Sequence, residues 1–269
     1  LHVEKFKMDA KQREAHGALV ARLRKEGLLD GEFCTDEEVT RFLKARNFDP
    51  AKSYKMIREA ILWRREARPQ ALTPKSVEEQ AVTGKTYVAG RDVYGRPVIV
   101  MDSSCENSKD HAAKINFLLF NLEYAKMLMR GSVDKWVLFI YLDKFSFWSM
   151  PPMKTSKETN NCLMQRYPER LGHCILYNAP TLFNVLWKVV SPFIDPRTKK
   201  KILFMSGSFA EGSKNDSNLQ GIIGPKWRQL VGVESKHSPQ SARGYDHGKY
   251  WPAVTEAFAE RASVAEKKT

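Results

Sequence analysis

Up to Pro69 the chain reads as one helix after another, and from about Lys85 strand-like and helix-like segments take turns. That switch constrains the fold more than any other feature. Strands separated by helices return to the same sheet through crossovers, and crossovers pair strands in parallel. The predicted class is therefore α/β: an N-terminal helical unit over residues 1–80, followed by residues 81–269, a mixed, mostly parallel sheet with helices and a C-terminal tail.

Local signals place the elements. Asp9 to Leu28 carries apolar residues at helical spacing (Ala18, Leu19, Ala21, Leu23) and stops before Gly27 and Gly31. Thr35 with Glu38 three residues on predicts a capping box that opens a short helix through Arg46. Asp49-Pro50 predicts another, with Pro50 at its first position, ending at about Arg68 before Pro69. Strands are expected at Thr86–Ala89, Pro97–Met101, Lys135–Leu142, Cys174–Asn178 and Lys201–Met205. Helices are expected at Lys114–Arg130, Met153–Arg166, Thr181–Ile194 and Ala253–Ala262.

Several function classes are disfavoured. No run of eighteen apolar residues exists, so no spanning helix is expected. Leu1–Lys5 does not read as a signal peptide, although the missing initiator Met leaves room for a targeting segment upstream. Cys34, Cys105, Cys162 and Cys174 are scattered, without metal-ligand spacing or a disulfide pattern, which fits a reducing cytoplasmic setting and no metal. Gly84-Lys85-Thr86 ends like a phosphate-binding loop, but Glu79 stands where its first glycine belongs. Asn215-Asp-Ser217 fits a glycosylation sequon that also arises by chance. No GxGxxG or GxSxG is present, so neither catalytic residues nor a cofactor is predicted, and the chain is not expected to be an enzyme. The net charge of +13 suits nucleic acid, an anionic membrane or a phosphorylated ligand. No nucleic-acid motif accompanies it, and between Lys188 and Lys201 five basic residues face one acid.

The segment Thr181–Ile194 is the least ordinary. Leu182, Phe183, Val185, Leu186, Trp187, Val189, Val190, Phe193 and Ile194 spread apolar surface around nearly its whole circumference, where a surface helix carries one stripe. It is either a buried core helix or a helix that covers an apolar pocket and meets a bilayer when it opens.

Three stretches together resemble the CRAL-TRIO lipid-transfer family, and within it the fungal-type phosphatidylinositol/phosphatidylcholine transfer branch. They are Arg41-Phe-Leu-Lys-Ala-Arg-Asn-Phe-Asp49 with Trp63-Arg64-Arg65, Gly90-Arg91-Asp92 with Tyr94-Gly-Arg-Pro-Val98, and Tyr167-Pro-Glu-Arg-Leu-Gly172 running on to Lys199-Lys-Lys201. The resemblance spans roughly residues 35 to 235. It implies a helical bundle packed on a sheet that floors an apolar lipid pocket, with Thr181–Ile194 as its gate and Phe183, Leu186, Trp187 and Val190 on the gate helix. An apolar pocket is what the task demands: each buried CH₂ is worth roughly 0.8 kcal/mol, so an acyl chain leaving a bilayer must recover on the order of 10 kcal/mol. The aromatic and Met residues of Phe117–Met129 and Val137–Phe147 suit such a lining, and equally an ordinary core.

The resemblance also assigns a head-group site. Arg46 and Lys201 match positions that offer positive donors to the phosphate and inositol, and Thr198 and Glu169 match positions that contact polar head-group atoms. Taken singly, Glu169-Arg170 reads as a surface pair, Thr198 as a turn residue and Lys199–Lys201 as a solvated face. Arg197, Lys199 and Lys200 are the expected membrane-facing basic turn. Asn47 stands where the branch usually has a basic residue. Ser146 matches one of two hydroxyls that serve phosphatidylcholine, while Trp148 replaces the other. The expected activity is therefore non-enzymatic binding and exchange of one phospholipid, phosphatidylinositol before phosphatidylcholine, with a second lipid and lipid kinases as further partners. The expected setting is cytoplasmic, transiently at anionic membranes, as a monomer. A carrier of sterol, tocopherol, retinoid or haem on the same fold is the alternative.

Overall fold

The computed structural model describes residues 7–29, 33–146, 151–234 and 241–266. Its contacts divide the chain into two compact units, Leu1–Pro69 with Asn161–Arg170, and Gln70–Asn160 with Leu171–Thr269. The sequence reading drew one boundary, at 80/81; the contacts draw it at Pro69/Gln70 and return a ten-residue segment to the first unit.

The first unit holds helices α1 (Ala10–Lys25), α2 (Asp36–Ala45) and α3 (Pro50–Ala67). The three N-caps are Asp9, Thr35 and Asp49, each accepting a backbone N–H three residues on. The capping box expected at Thr35 forms in one direction: Thr35 accepts from the Glu38 N–H, while the Glu38 carboxylate pairs with Arg41 and Arg170. Leu19, Leu23, Val39, Phe42, Leu43, Ile57 and Ile61 form the core. Each such side chain gains roughly 1.5–3 kcal/mol by leaving water.

The second unit begins with α4 (Pro74–Ala81), a helix the sequence reading left unassigned although Thr73 and Pro74 form a cap with proline at its first turn. Five strands follow in sheet order β1-β2-β3-β4-β5: β1 (Thr86–Arg91), β2 (Pro97–Asp102), β3 (Trp136–Tyr141), β4 (Leu171–Tyr177) and β5 (Ile202–Met205). β1 and β2 form an antiparallel hairpin, and β2 to β5 run parallel. The connections carry α5 (His111–Leu128), α6 (Met153–Asn161), α7 (Phe183–Val190) and α8 (Pro196–Lys199). α9 (Lys214–Ile222), α10 (Trp227–Val231) and α11 (His247–Glu266) complete the chain.

Alternation along the strands sorts the sheet into two faces. Val98, Val100, Val137, Phe139, Tyr141, Ile175, Tyr177 and Met205 point into a core sealed by Leu219, Trp227 and Val231 of α9 and α10. Right-handed crossovers put the connecting helices on the other face, and α5 lies there against β1 and β2. The tail after β5 reads from the sequence as Gly-, Ser- and Pro-containing chain with a last helix at Ala253–Ala262; that helix is present as the longer α11, and before it α9 and α10 pack to close one side of the sheet.

The residues that resembled a phosphate loop are structural. Gly84 sits at φ +65° directly against the Tyr245 ring, where a Cβ does not fit. Lys85 is buried and donates to Gln80 Oε1 (2.6 Å) and Glu106 Oε1 (2.5 Å); burial holds its pKa below the usual lysine value, against the pull of Glu106. Asn215 donates from its amide to the carbonyls of Ser206 and Ser208, so the sequon's nitrogen is engaged in the fold.

Candidate functional site

The expected gate helix is shorter than its apolar run. α7 spans Phe183–Val190 and passes into a 3-10 turn at Ser191–Phe193. Pro192 has no N–H to continue an α-helical ladder, and Pro180 precedes the start. A fully buried helix is ruled out: along α7 only Phe183 is buried, Val185 is 55 % exposed, and Phe193 beyond it is 61 % exposed. Phe183 stands edge-on to Phe145 (5.5 Å) and near Phe204 (6.1 Å), and Trp187 stands edge-on to Phe204 (5.0 Å). Leu186 and Val190 are half-buried.

Phe204 belongs to the sheet face opposite the sealed core. Its row reads from buried to open, with Ile99, Leu138 and Leu176 buried, Ile140 and Ile202 half-buried, and Phe204 itself 46 % exposed. The helix α7 therefore covers the β5 end of this face through a few aromatic edges rather than a closed core. Phe204 carries no distinguishing sequence signal; its exposure follows from its place on the last parallel strand.

A tightly capped turn follows. Asp195 accepts from the backbone N–H groups of Arg197 and Thr198, both at 3.0 Å. Partial burial pushes the Asp195 carboxyl up, but hydrogen bonds from Thr198 and Arg197 and the charge of Lys201 outweigh it, and the net shift is downward. Arg197, Lys199 and Lys200 are exposed; Thr198 and Lys201 are half-buried. The Lys201 carbonyl accepts from Cys174 N–H (2.9 Å), which fixes this residue at the threshold of β5.

The other two head-group candidates lie in the first unit. α2 ends at Ala45 with Arg46 as its C-cap, and Asn47 and Phe48 follow with φ of 53° and 59°. Asparagine visits this left-handed region at less cost than a longer basic side chain, which gives the departure at position 47 a backbone reason. Arg46 is half-buried and donates from Nη1 to the Ala45 carbonyl (3.0 Å) and from Nη2 to Gln165 Oε1 (2.6 Å). Glu169 is half-buried with φ +57°, between buried Pro168 and Arg170. Glu169-Arg170 is not an exposed pair: Arg170 is buried and pairs with Glu38. The helix expected through Arg166 ends at Asn161 and continues as a π-turn over Cys162–Arg166. Gln165, on that turn, was not singled out in the sequence, because only the fold brings it to Arg46.

Ser146 is half-buried; Trp148 falls outside the described residues. A cavity of about 660 Å³ opens beside β1, walled by Tyr87, Trp227, Leu230 and Tyr245, and holds none of the predicted site residues. Among the described residues, no His/Cys/Asp/Glu cluster could hold a metal ion, and no helix is long and apolar enough to cross a membrane.

On the sealed side of the sheet, buried Asp216 accepts from Trp227 Nε1 (2.8 Å), Gly212 N–H (2.8 Å) and Arg228 Nη1 (2.7 Å). The indole hydrogen bond first, then the Gly212 amide and Arg228, hold its carboxyl down at about 2.

Comparison with known proteins agrees with this architecture. The CRAL/TRIO domain profile matches residues 81–220. A CRAL-TRIO domain-containing protein of Schizosaccharomyces pombe is 30 % identical over 242 residues, covering 89 % of this chain and 22 % of that protein. The phosphatidylinositol transfer protein PDR17 of Saccharomyces cerevisiae is 26 % identical over 205 residues, covering 71 % of this chain and 59 % of its own length. The chain thus spans less than two thirds of either relative. The crystal structure of Sfh5 shares the fold, with a TM-score of 0.62 at 17 % identity, over 82 % of this chain and 96 % of that one.

Proposed function

Since this chain belongs to the CRAL/TRIO family of lipid-transfer proteins, with a fungal phosphatidylinositol transfer protein among its relatives, we propose that it holds one phosphatidylinositol molecule and exchanges it with membranes. The observation that carries the reading is the half-open sheet face at Phe204 under a helix that keeps Val185 and Phe193 in solvent. A soluble core element would bury those groups; a cover over acyl chains has to part from the sheet, and its outward apolar residues then enter the bilayer interface. The basic turn Arg197, Lys199 and Lys200 directly follows that surface and suits anionic head groups. Lys201 and Thr198 at the threshold of β5 offer an ammonium and a hydroxyl suited to a phosphate; within the first unit, Arg46 and Glu169 offer a guanidinium and a carboxylate suited to a phosphate and to inositol hydroxyls. Each role is non-covalent, so the chain acts as a carrier and not as an enzyme. Presentation of the lipid to a kinase needs the same site as transfer.

The test is extraction. The purified chain, incubated with vesicles of phosphatidylinositol in phosphatidylcholine, should take up phosphatidylinositol one-to-one, read by native mass spectrometry. Lys201→Ala should lower extraction about thirtyfold with the thermal midpoint unchanged, as expected for loss of a contact worth about 2 kcal/mol. A sterol, retinoid or haem in the native complex would overturn the ligand, and an unchanged Lys201→Ala variant would remove that residue from the site.

A further inference from the structure

Resting on the phosphatidylinositol reading, we infer that Gln165 is a positioning residue of the head-group site, holding the Arg46 guanidinium in one orientation through an uncharged acceptor. The Nη2···Oε1 distance of 2.6 Å and the Nη1 bond to the Ala45 carbonyl use one donor on each terminal nitrogen. Together they fix the plane of the guanidinium, and a fixed plane is what two-point recognition of a phosphate requires.

Gln165 is itself held. It sits on the π-turn Cys162–Arg166, closed by the Tyr167 N–H donating to the Cys162 carbonyl at 3.1 Å. One extra residue in a helical turn swings the side chains that follow by roughly 100° and is kept where the surroundings compensate it. Here Arg166 lies over the Trp63 ring (5.4 Å), Tyr167 meets the edge of the same ring (6.4 Å), and Arg170 pairs with Glu38. The segment is pinned at the end of its turn and beyond, and it delivers Glu169 four residues after Gln165.

The chemistry of the acceptor separates Arg46 from its neighbours. Arg41 and Arg170 each meet a charged partner inside the protein, the Glu38 carboxylate. Arg46 meets an amide, which orients a guanidinium and leaves its positive charge available to an anion. A carboxylate at position 165 would hold Arg46 more firmly and cancel the charge the ligand needs.

Gln165→Glu therefore distinguishes a positioning role from a merely structural one. Vesicles of rising phosphatidylinositol content in phosphatidylcholine would be titrated against the wild-type chain, Gln165→Leu, Gln165→Glu, Arg46→Ala and the Arg46→Ala/Gln165→Leu pair, with thermal midpoints measured alongside. Gln165→Leu should raise the half-saturating phosphatidylinositol fraction about tenfold, the loss of one hydrogen bond to a charged group. Gln165→Glu should raise it as well while the thermal midpoint holds or rises. In the Arg46→Ala background, Gln165→Leu should change nothing further. A Gln165→Glu chain that binds as tightly as wild type, or a Gln165→Leu effect that persists without Arg46, overturns the assignment. A wild-type chain that extracts no phosphatidylinositol overturns the ligand and the inference together, whereas wild-type extraction with unaltered Gln165 variants overturns the inference alone.

Discussion

The two faces of one sheet are covered in opposite ways. On one, Trp227, Val231 and Leu219 are wholly buried on the strands, and Asp216 ties Trp227, Arg228 and the backbone at Gly212 into one polar knot. On the other, at the β5 end, α7 rests on ring edges and leaves Val185, Phe193 and Phe204 wet. Burial at about 25 cal/mol per Å² makes the first cover costly to lift, and its absence makes the second cheap. Local opening follows local stability, so one sheet can carry a firmly held cover on one face and a loosely held one on the other.

Substitution at the sealed wall should have the largest effect. Trp227→Ala removes a fully buried ring and one of the hydrogen bonds to the Asp216 carboxylate; we expect a loss of about 3–5 kcal/mol in denaturant unfolding. A loss below about 1 kcal/mol would mean that this face is no more sealed than the other. At the open wall the pattern should reverse. Val185→Asp and Phe193→Asp should leave unfolding within about 0.5 kcal/mol of wild type, as surface changes do, yet slow lipid exchange about fivefold or more by placing charge on the surface that enters the interface. Strong destabilisation by either would show that α7 is a core element after all. The smallest effect should come from the basic turn. Lys199→Glu should slow exchange from anionic vesicles about fivefold and from neutral ones hardly at all, with the difference fading above physiological salt, where screening falls below about 8 Å.

Much of this contrast was legible in the sequence and some of it was not. The strands stood out because their apolar runs are local. The circumferential apolar surface of Thr181–Ile194 flagged the unusual cover, although Pro192 shortens its α-helical part to Phe183–Val190. The sealing helices were missed: α9 and α10 are short, begin among Gly and Ser residues, and owe their order to Asp216 and Trp227, which meet only in the fold. The proposed head-group residues come from resemblance alone, one position at a time. The bond from Arg46 to Gln165 joins positions 119 residues apart, and no spacing rule reaches that far.

The detour of Asn161–Arg170 into the first unit makes the chain cross between its two units three times, after Pro69, Asn160 and Arg170. No single cut separates the units. A fragment ending near residue 80 would keep Glu38, Arg41 and Arg64 but lose Arg170 and Tyr167, leaving built-in partners for a strand of chain that is not there. On a ribosome, the first unit to emerge is the one that waits: it stays incomplete until about a hundred further residues have been made, several seconds at about 5–20 residues per second. The helical unit and the sheet that holds Lys201 are thereby tied to one order of birth, and neither can be borrowed by another protein as a contiguous cassette.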